Sequence, residues 1–326
     1  VGFSSKFSPL DLSRLAADEF VAEFRFEGLR EGGHVARGAD TESVQAAAQD
    51  VGIQCAKPVG CLNRRNLLSD LIIGAHCFRH ALAYGTATQG GTGVVGAVFE
   101  LSPPAAGKKW TESVLYNFTG NNDGGEPMGN VLLGADGNIY GTTAGYGEFN
   151  NGVVYRLTAP VSGGSWGFSV LHAFQGGSDG EVPRDGLIQD ASGMLYGATA
   201  GFANSYGNVF QMDTDGGNYN VIYTITGGQG FTGNGPWQTV SMGADGTIYG
   251  TTYADGQSSF GEVFQLMPQA GNQWAATVLY TFPGGAGGQY SYSNVLIDKM
   301  GRLYGTTYGV AGQSGYYPGT VWRIKP

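Results

Sequence analysis

The chain has 326 residues, of which 41% are hydrophobic and 13% charged, and it contains 58 Gly, 18 Tyr and 17 Phe. This hydrophobic fraction supports a packed core and argues against a disordered chain. The formal net charge of −9 argues against nucleic acids and anionic membranes as partners, because both attract a basic surface. The abundance of Gly and aromatic residues favours turn-rich β-structure over helices.

Residues 1–68 form a divergent N-terminal segment. They contain no Tyr and no Trp, whereas the rest of the chain contains all 18 Tyr and all five Trp. The alternation of FVAEFRF at residues 20–26 predicts a strand that completes a sheet at the far end of the chain. A helix that begins at Pro9, with Ser8 as its N-cap, competes with this prediction. Residues 31–65 fit an insertion, a disordered loop or a stretch translated in a shifted reading frame.

The cysteines do not predict a disulfide framework or a metal site. Cys55, Cys61 and Cys77 are odd in number and all lie before the main repeats. With His76 and His80 they have residue types suited to zinc, but their spacing matches no common zinc site. We therefore predict no metal and no cofactor. The longest apolar runs are also too short to predict membrane insertion, and the first residues lack the apolar core of a secretory signal.

One phrase recurs five times in residues 69–326. It reads AYGTA at 83–87, IYGTT at 139–143, LYGAT at 195–199, IYGTT at 248–252 and LYGTT at 303–307. An apolar run with a tight turn precedes each copy, a run such as GVVYRL follows it, and a fourth run such as SVLHAF closes every unit except the last. Short runs rich in Val, Ile, Tyr and Phe between Gly and Asp turns predict four-stranded antiparallel meanders. The predicted units are residues 69–120, 121–176, 177–228, 229–284 and 285–326.

The five units predict how the sheets are arranged. A single four-stranded sheet cannot bury both of its faces, so the sheets must cover one another. The sequence therefore predicts an all-β fold, a five-bladed β-propeller of four-stranded antiparallel blades, preceded by an irregular and partly helical N-terminal segment. The apolar first strands are expected nearest the axis. A solenoid is the rival geometry, but four strands in each unit suit a blade better. One aromatic series is predicted to pack between the sheets: Phe99, Tyr155, Phe210, Phe264 and Trp322.

These units resemble the GloVer family of choice-of-anchor tandem repeat proteins. The family pattern G-x-L-Y-G-T-T, then G-T-V-F-x-L, is matched at residues 301–307 and 319–324. Its V-L-Y-x-F-x-G-G-x-D-G-x-x-P phrase is matched by VLHAFQGGSDGEVP at residues 170–183. The resemblance implies a bacterial, exported or surface-displayed repeat protein. It carries over no catalytic residues.

Catalytic signatures are scarce in the repeats. His172 stands where sister units have Tyr116, Tyr223 and Tyr280, which indicates a structural substitution. GTGVVG at residues 91–96 has the letters of a glycine-rich nucleotide loop, but no helix is predicted to follow it. We predict no catalytic residues and favour a protein that is not an enzyme.

The loops predict a ligand-binding surface. In a meander, the loops between second and third strands lie at the same end as the loops between units. The inter-unit loops contain Asp123 and Asp179, and the others contain the aromatic residues Tyr146, Phe149, Phe202, Tyr206, Phe260, Tyr316 and Tyr317. Aromatic rings beside carboxylates are typical of sugar- or peptide-binding sites. Asp-Gly turns and rings that cover the neighbouring sheet are the structural alternatives.

The leading functional hypothesis is a non-catalytic, exported or surface protein that binds a glycan, a peptide or a protein partner through these aromatic loops. A second hypothesis is a hydrolase or lyase that acts on a polysaccharide through Asp123 and Asp179. A third is a purely structural surface protein.

Overall fold

The computed structural model describes residues 75–77, 82–102, 110–161, 163–201, 207–225, 235–254, 260–312, 315–317 and 319–326. Contacts divide the chain into two units, Val1–Ala39 and Asp40–Pro326, and every described residue belongs to the second. The predicted N-terminal segment 1–68, with its closing strand at 20–26 and its insertion at 31–65, lies outside the described residues.

The described residues form five antiparallel sheets whose strands follow chain order, so the all-β prediction is confirmed. Sheet one contains β1 (Ala75–Cys77), β2 (Ala83–Ala87), β3 (Ala97–Ser102) and β4 (Thr111–Asn117), and sheet two contains β5 (Leu132–Leu133), β6 (Ile139–Thr143), β7 (Val153–Thr158) and β8 (Gly167–Ala173). Sheet three contains β9 (Ile188–Gln189), β10 (Leu195–Thr199), β11 (Asn208–Met212) and β12 (Asn220–Thr224), and sheet four contains β13 (Ser241–Met242), β14 (Ile248–Thr251), β15 (Glu262–Gln269) and β16 (Gln273–Thr281).

Sheet five has three strands among the described residues, which agrees with the fourth run that the sequence lacks there. They are β17 (Leu296–Ile297), β18 (Leu303–Thr306) and β21 (Val321–Ile324). A separate hairpin of β19 (Val310–Gly312) and β20 (Gly315–Tyr317) lies between the last two. Two short 3-10 turns, Gly177–Asp179 and Gly285–Gly287, precede sheets three and five.

A Gly and an aromatic ring form a cross-strand pair in the middle of every sheet. The pairs are Gly85 with Phe99, Gly141 with Tyr155, Gly197 with Phe210, Gly250 with Phe264 and Gly305 with Trp322. A Cβ atom on Gly197 would lie 2.5 Å from Cζ of Phe210, so the ring occupies the space of a side chain. The recurring Tyr-Gly phrase therefore exists because the third strand lays its ring across the second strand.

The turn between the first two strands is tied to the Tyr of the same phrase. Asp190 accepts hydrogen bonds from the Ser192 amide at 2.8 Å and from the Tyr196 hydroxyl at 3.1 Å. Asp298 likewise accepts the Tyr304 hydroxyl at 3.0 Å. Burial raises the pKa of Asp190, but hydrogen bonds from Ser192, Met194 and Tyr196 outweigh it and hold this pKa below its usual value.

Four core clusters lie between consecutive sheets. The first joins Tyr84 of sheet one to Ile139 and Tyr155 of sheet two, and the fourth joins Tyr249 of sheet four to Trp322 of sheet five. The second and third clusters join sheets two with three and three with four in the same way. Burying each large side chain stabilises the fold by about 1.5–3 kcal/mol. Each inner sheet is thus covered on both faces by its neighbours. The predicted packing between sheets is confirmed for Tyr155, Phe210, Phe264 and Trp322, and Phe99 is buried but belongs to none of these four clusters.

The fourth strands add ring stacking across the same interfaces. Tyr116 in β4 stacks on Phe168 in β8 with ring centroids 4.0 Å apart. His172 in β8 stacks on Tyr219 at 3.7 Å, which agrees with its interpretation as a structural substitution. Tyr280 in β16 is 42% exposed and lines a groove of about 440 Å³ beside β21.

Replacing Tyr155 with Phe should stabilise the protein. The Tyr155 hydroxyl is buried and has no hydrogen-bond partner among the described residues, and three other sheets have Phe at this position. Removing an unsatisfied buried hydroxyl is expected to raise the free energy of unfolding by about 1–2 kcal/mol, measured by urea denaturation. Tyr140→Phe is the matched control, because it loses the 2.6 Å hydrogen bond to Asp136 and should destabilise. Lower stability of Tyr155→Phe than of the wild type would contradict the conclusion that the Tyr155 hydroxyl is unsatisfied.

Acid should weaken the fold through the turn aspartates. Burial acts to raise the pKa of Asp298, but hydrogen bonds from Arg302, Met300 and Tyr304 lower this pKa to about 2. The stability gained from such a carboxylate is present above the unfolded pKa of about 4 and is lost as the pH falls toward about 2. The free energy of unfolding should therefore fall between about pH 4 and pH 2, and Asp298→Asn should make that fall shallower. Identical pH profiles for the two proteins would refute this origin.

Candidate functional site

The loops that lead into successive sheets converge on one buried carboxylate. Asp185 precedes sheet three and is 8% exposed. Its Oδ1 accepts hydrogen bonds from the Gly186 amide at 2.8 Å and from the Asn130 amide at 3.3 Å. Its Oδ2 accepts the Thr239 amide at 2.9 Å. Because Asn130 precedes sheet two and Thr239 precedes sheet four, a single side chain connects the loops of three sheets.

Backbone contact at this point requires glycine. A Cβ atom on Gly129 would overlap the backbone of Asp185 and Gly186. A Cβ atom on Gly186 would overlap the carbonyl group of Asn130. Neither glycine has a left-handed φ. Glycine is needed here because the two backbone segments approach each other closely. The first strands of neighbouring sheets thus begin in direct backbone contact, which fits the prediction that they are innermost.

A recurring hydrogen bond joins the two kinds of loop. A residue one or two positions after the second strand donates its backbone amide to a carbonyl in the loop before the first strand. These pairs are Ala144 to Glu126, Ala200 to Val182, Tyr253 to Gly235 and Tyr308 to Tyr290, at 3.0–3.3 Å. Both kinds of loop therefore lie at the same end of the sheets. The side chains at these paired positions determine the surface of that end.

Units four and five have aromatic residues at or near these paired positions. Tyr253 and Tyr308 replace the Ala144 and Ala200 of units two and three. We define the aromatic cluster as Trp237, Tyr253, Tyr290, Tyr292 and Tyr308. Its ring centroids lie 4.8–5.6 Å apart in a connected series, with Tyr253 stacked on Tyr290 at 4.8 Å. Tyr308 is 59% exposed and the other four rings are half-buried, so the cluster presents ring surface to solvent.

Arg184 brings a positive charge to the aromatic cluster. Its guanidinium carbon lies 4.1 Å from the centroid of the Trp237 ring, a cation–π contact. Burial lowers the pKa of Arg184, and electrostatic interactions with Tyr292 and Glu126 partly offset that shift. Arginine remains protonated in proteins, so the guanidinium stays charged. Burial also raises the pKa of the Tyr292 phenol, and its hydrogen bond with Tyr253 raises that pKa further. The phenol is therefore neutral.

The predicted carboxylates are occupied within their own loops. Asp123 accepts hydrogen bonds from the Thr119 hydroxyl at 2.6 Å and the Tyr116 hydroxyl at 2.9 Å. Asp179 accepts the Gln175 amide at 2.7 Å and lies 3.1 Å from Nε2 of His172. Both side chains fasten the loop that follows a fourth strand, which supports their structural interpretation.

Of the seven predicted aromatic residues, the structure describes the side chains of Tyr146, Phe149 and Phe260. Phe260 contacts the cluster, with its ring 6.0 Å from that of Tyr290. The Tyr146 ring packs over Gly125, and Phe149 is 43% exposed in the same loop of sheet two. Phe202 and Tyr206 lie outside the described residues, and for Tyr316 and Tyr317 only the backbone in β20 is described.

The sequence interpretation missed Arg184 and the aromatic cluster. A signal was present in the aligned repeats, because one position reads Met128, Arg184, Trp237 and Tyr292 in successive units. Such departures from a repeat mark positions that the sheet itself does not require.

Within the described ranges, no three His, Cys, Asp or Glu side chains are grouped so that they could bind a metal ion. In the same ranges, no helix is long and apolar enough to cross a membrane.

Comparison with known families now identifies the repeat. The model of the Gloeobacter/Verrucomicrobia repeat matches residues 80–232 and 160–326. The chain belongs to this family, which confirms the resemblance drawn from the residues. The comparison with curated proteins finds no match.

Solved structures give distant similarities. A nidogen/laminin complex is 15% identical, with 77% of this chain and 85% of that chain covered and a TM-score of 0.46. An ulvan lyase of polysaccharide lyase family PL25 is 10% identical, with 76% and 68% covered and a TM-score of 0.48. A gluconolactonase from Xanthomonas campestris is 14% identical, with 74% and 72% covered and a TM-score of 0.43. All three TM-scores are below 0.5, so these similarities assign no activity to this chain.

Replacing Asp185 with Asn should destabilise the point where the loops converge. An amide keeps one acceptor oxygen and turns an NH₂ group toward a backbone donor. We expect the free energy of unfolding to fall by about 1.5–3 kcal/mol, measured by urea denaturation. Asp215→Asn is the control, because Asp215 is exposed and accepts only the Gly217 amide, at 2.8 Å. Equal effects of the two substitutions would argue against a special role for Asp185.

Proposed function

We propose that the five sheets are the blades of a five-bladed β-propeller and that the protein is a non-catalytic glycan-binding protein. The position of Arg184 supports a circular arrangement of the five sheets. It lies within electrostatic range of both Glu126, before sheet two, and Tyr292, before sheet five. In an open stack with sheets about 10 Å apart, these two loops would be about 30 Å apart. A common axis brings them together.

The observation that carries the binding proposal is the aromatic cluster itself. Five rings with exposed surface gather beside a guanidinium at the end of the sheets where the loops converge. Apolar ring faces that stay in contact with water gain free energy when a ligand covers them. The rings belong to loops that a closely packed scaffold holds in place, so little ordering would oppose binding.

Ring faces favour a sugar over a peptide as the ligand. The C–H face of a pyranose is flat and apolar, and its hydroxyl groups can bond to the tyrosine hydroxyls and the guanidinium at the margins. A peptide ligand would gain most from pockets for branched side chains or from a free strand edge. The aromatic cluster offers ring faces, and Arg184 beside it adds one cation.

The two other hypotheses have less support. A hydrolase or lyase that uses Asp123 and Asp179 would need carboxylates free to act on a substrate, whereas both accept hydrogen bonds within their loops. A purely structural protein would not need rings with exposed surface at positions where sister units have alanine. The exported or surface location rests on the family resemblance and stays a prediction.

Binding should depend on the aromatic cluster. The probes are soluble hexasaccharides of neutral and acidic sugars, first on a glycan array and then by isothermal titration calorimetry. Trp237→Ala and Tyr308→Ala should each weaken binding about fivefold, because each removes a stacking face worth on the order of 1 kcal/mol.

Phe149→Ala is the matched control, because it removes an exposed ring at the same end of the sheets but outside the cluster. Its affinity should equal that of the wild type. Loss of binding in Phe149→Ala with retention in Trp237→Ala would move the site to the loop of sheet two. Failure of every sugar to bind would refute the proposed function.

A further inference from the structure

We propose that the glycan is acidic and that Arg184 recognises the carboxylate of a uronic acid residue. This inference rests on the proposed glycan-binding function. It adds the chemical class of the ligand and the residue that distinguishes it from neutral sugars.

Arg184 is a charged group without a counter-ion in the described part of the chain. Among those residues, it forms no ion pair within 4 Å, and its buried Nε atom has no hydrogen-bond partner. The carboxylate of Glu126 raises the pKa of Arg184 only through a longer-range electrostatic interaction. The Oε2 atom of Glu126 lies beside Gly145. A half-buried cation without a counter-ion is unfavourable, so binding an anion that neutralises it should lower the free energy of the complex.

The repeat makes a structural requirement for arginine here unnecessary. Successive units place Met128, Arg184, Trp237 and Tyr292 at one position, so the scaffold accepts apolar residues there. Arginine departs from this pattern, and stacking on Trp237 holds its planar group beside the exposed rings. A side chain that the fold does not need, held in a fixed orientation beside the ligand surface, is expected to serve recognition.

The geometry suits a carboxylate. A guanidinium offers parallel N–H donors that match the two oxygens of a carboxylate, and stacking restricts the side chain before the ligand arrives. A pyranose that lies on the aromatic cluster would carry its C5 substituent at the ring margin. In a uronic acid that substituent is a carboxylate, and in a neutral hexose it is a hydroxymethyl group. The net charge of −9 gives no general attraction for anions, so selectivity would have to come from this one group.

The test compares hexagalacturonate with its fully methyl-esterified form, in which each carboxylate is a neutral methyl ester and the sugar rings are the same. Binding to the full chain is measured by calorimetry. We expect the acid to bind at least tenfold more tightly than the ester, because a hydrogen bond to a charged group carries about that factor or more. Arg184→Met, which copies the residue of unit two, should remove the preference, because it should weaken acid binding far more than ester binding. Arg184→Lys should retain part of the preference, because it keeps the charge and loses the planar pair of donors.

Each other result overturns the inference in a recognisable way. Equal affinity for acid and ester, both lost in Trp237→Ala, would leave the glycan-binding proposal and refute the role of charge. A preference for acid that Arg184→Met and Arg184→Lys both retain would exclude Arg184 as its cause. If only carboxylate-bearing peptides bind, or nothing binds, the acidic-glycan inference fails together with the proposed function.

Discussion

Close backbone contact where the first strands begin is the constraint on which the rest of this structure depends. Asp185 accepts backbone amides from the loops before sheets two, three and four, while Gly129 and Gly186 allow the chains to touch. Hydrogen bonds from amides to a buried carboxylate are strong, and each one satisfies a donor that water could not reach. This arrangement holds the first strands of sheets two, three and four close together at one end.

Fold and function use different positions of the same repeat. The Gly and aromatic pairs, the turn Asp and its Tyr recur because each sheet must solve the same packing problem. The loop positions after the second strand and before the first strand are outside that problem, so their side chains differ from unit to unit. Units four and five place tyrosine and tryptophan there, and unit three places arginine beside them. Membership of the Gloeobacter/Verrucomicrobia repeat family explains the recurring residues, and the variable ones distinguish this chain.

The recurring carboxylates illustrate the same division. Asp123 and Asp179 appear at equivalent places in two units, and in both units the side chain binds the loop that follows the fourth strand. Recurrence in a repeat is therefore evidence first for a structural role. A site for a ligand with no internal symmetry needs side chains that occur once, as Arg184 and Trp237 do.

The sequence by itself determined the local structure. Spacing and turn chemistry predicted five antiparallel sheets, the strand order and the three strands that the described residues of the last unit form, because hydrogen-bond pairing and alternation act over a few residues. The site was predicted only in part: Phe260 touches the aromatic cluster, while Asp123, Asp179 and Tyr146 serve their own loops. Tertiary structure alone decided that Arg184 contacts Trp237, 53 residues further along the chain, and that Glu126 and Tyr292 both affect the pKa of Arg184. Such contacts depend on how whole sheets face one another, a property that no short stretch of residues encodes.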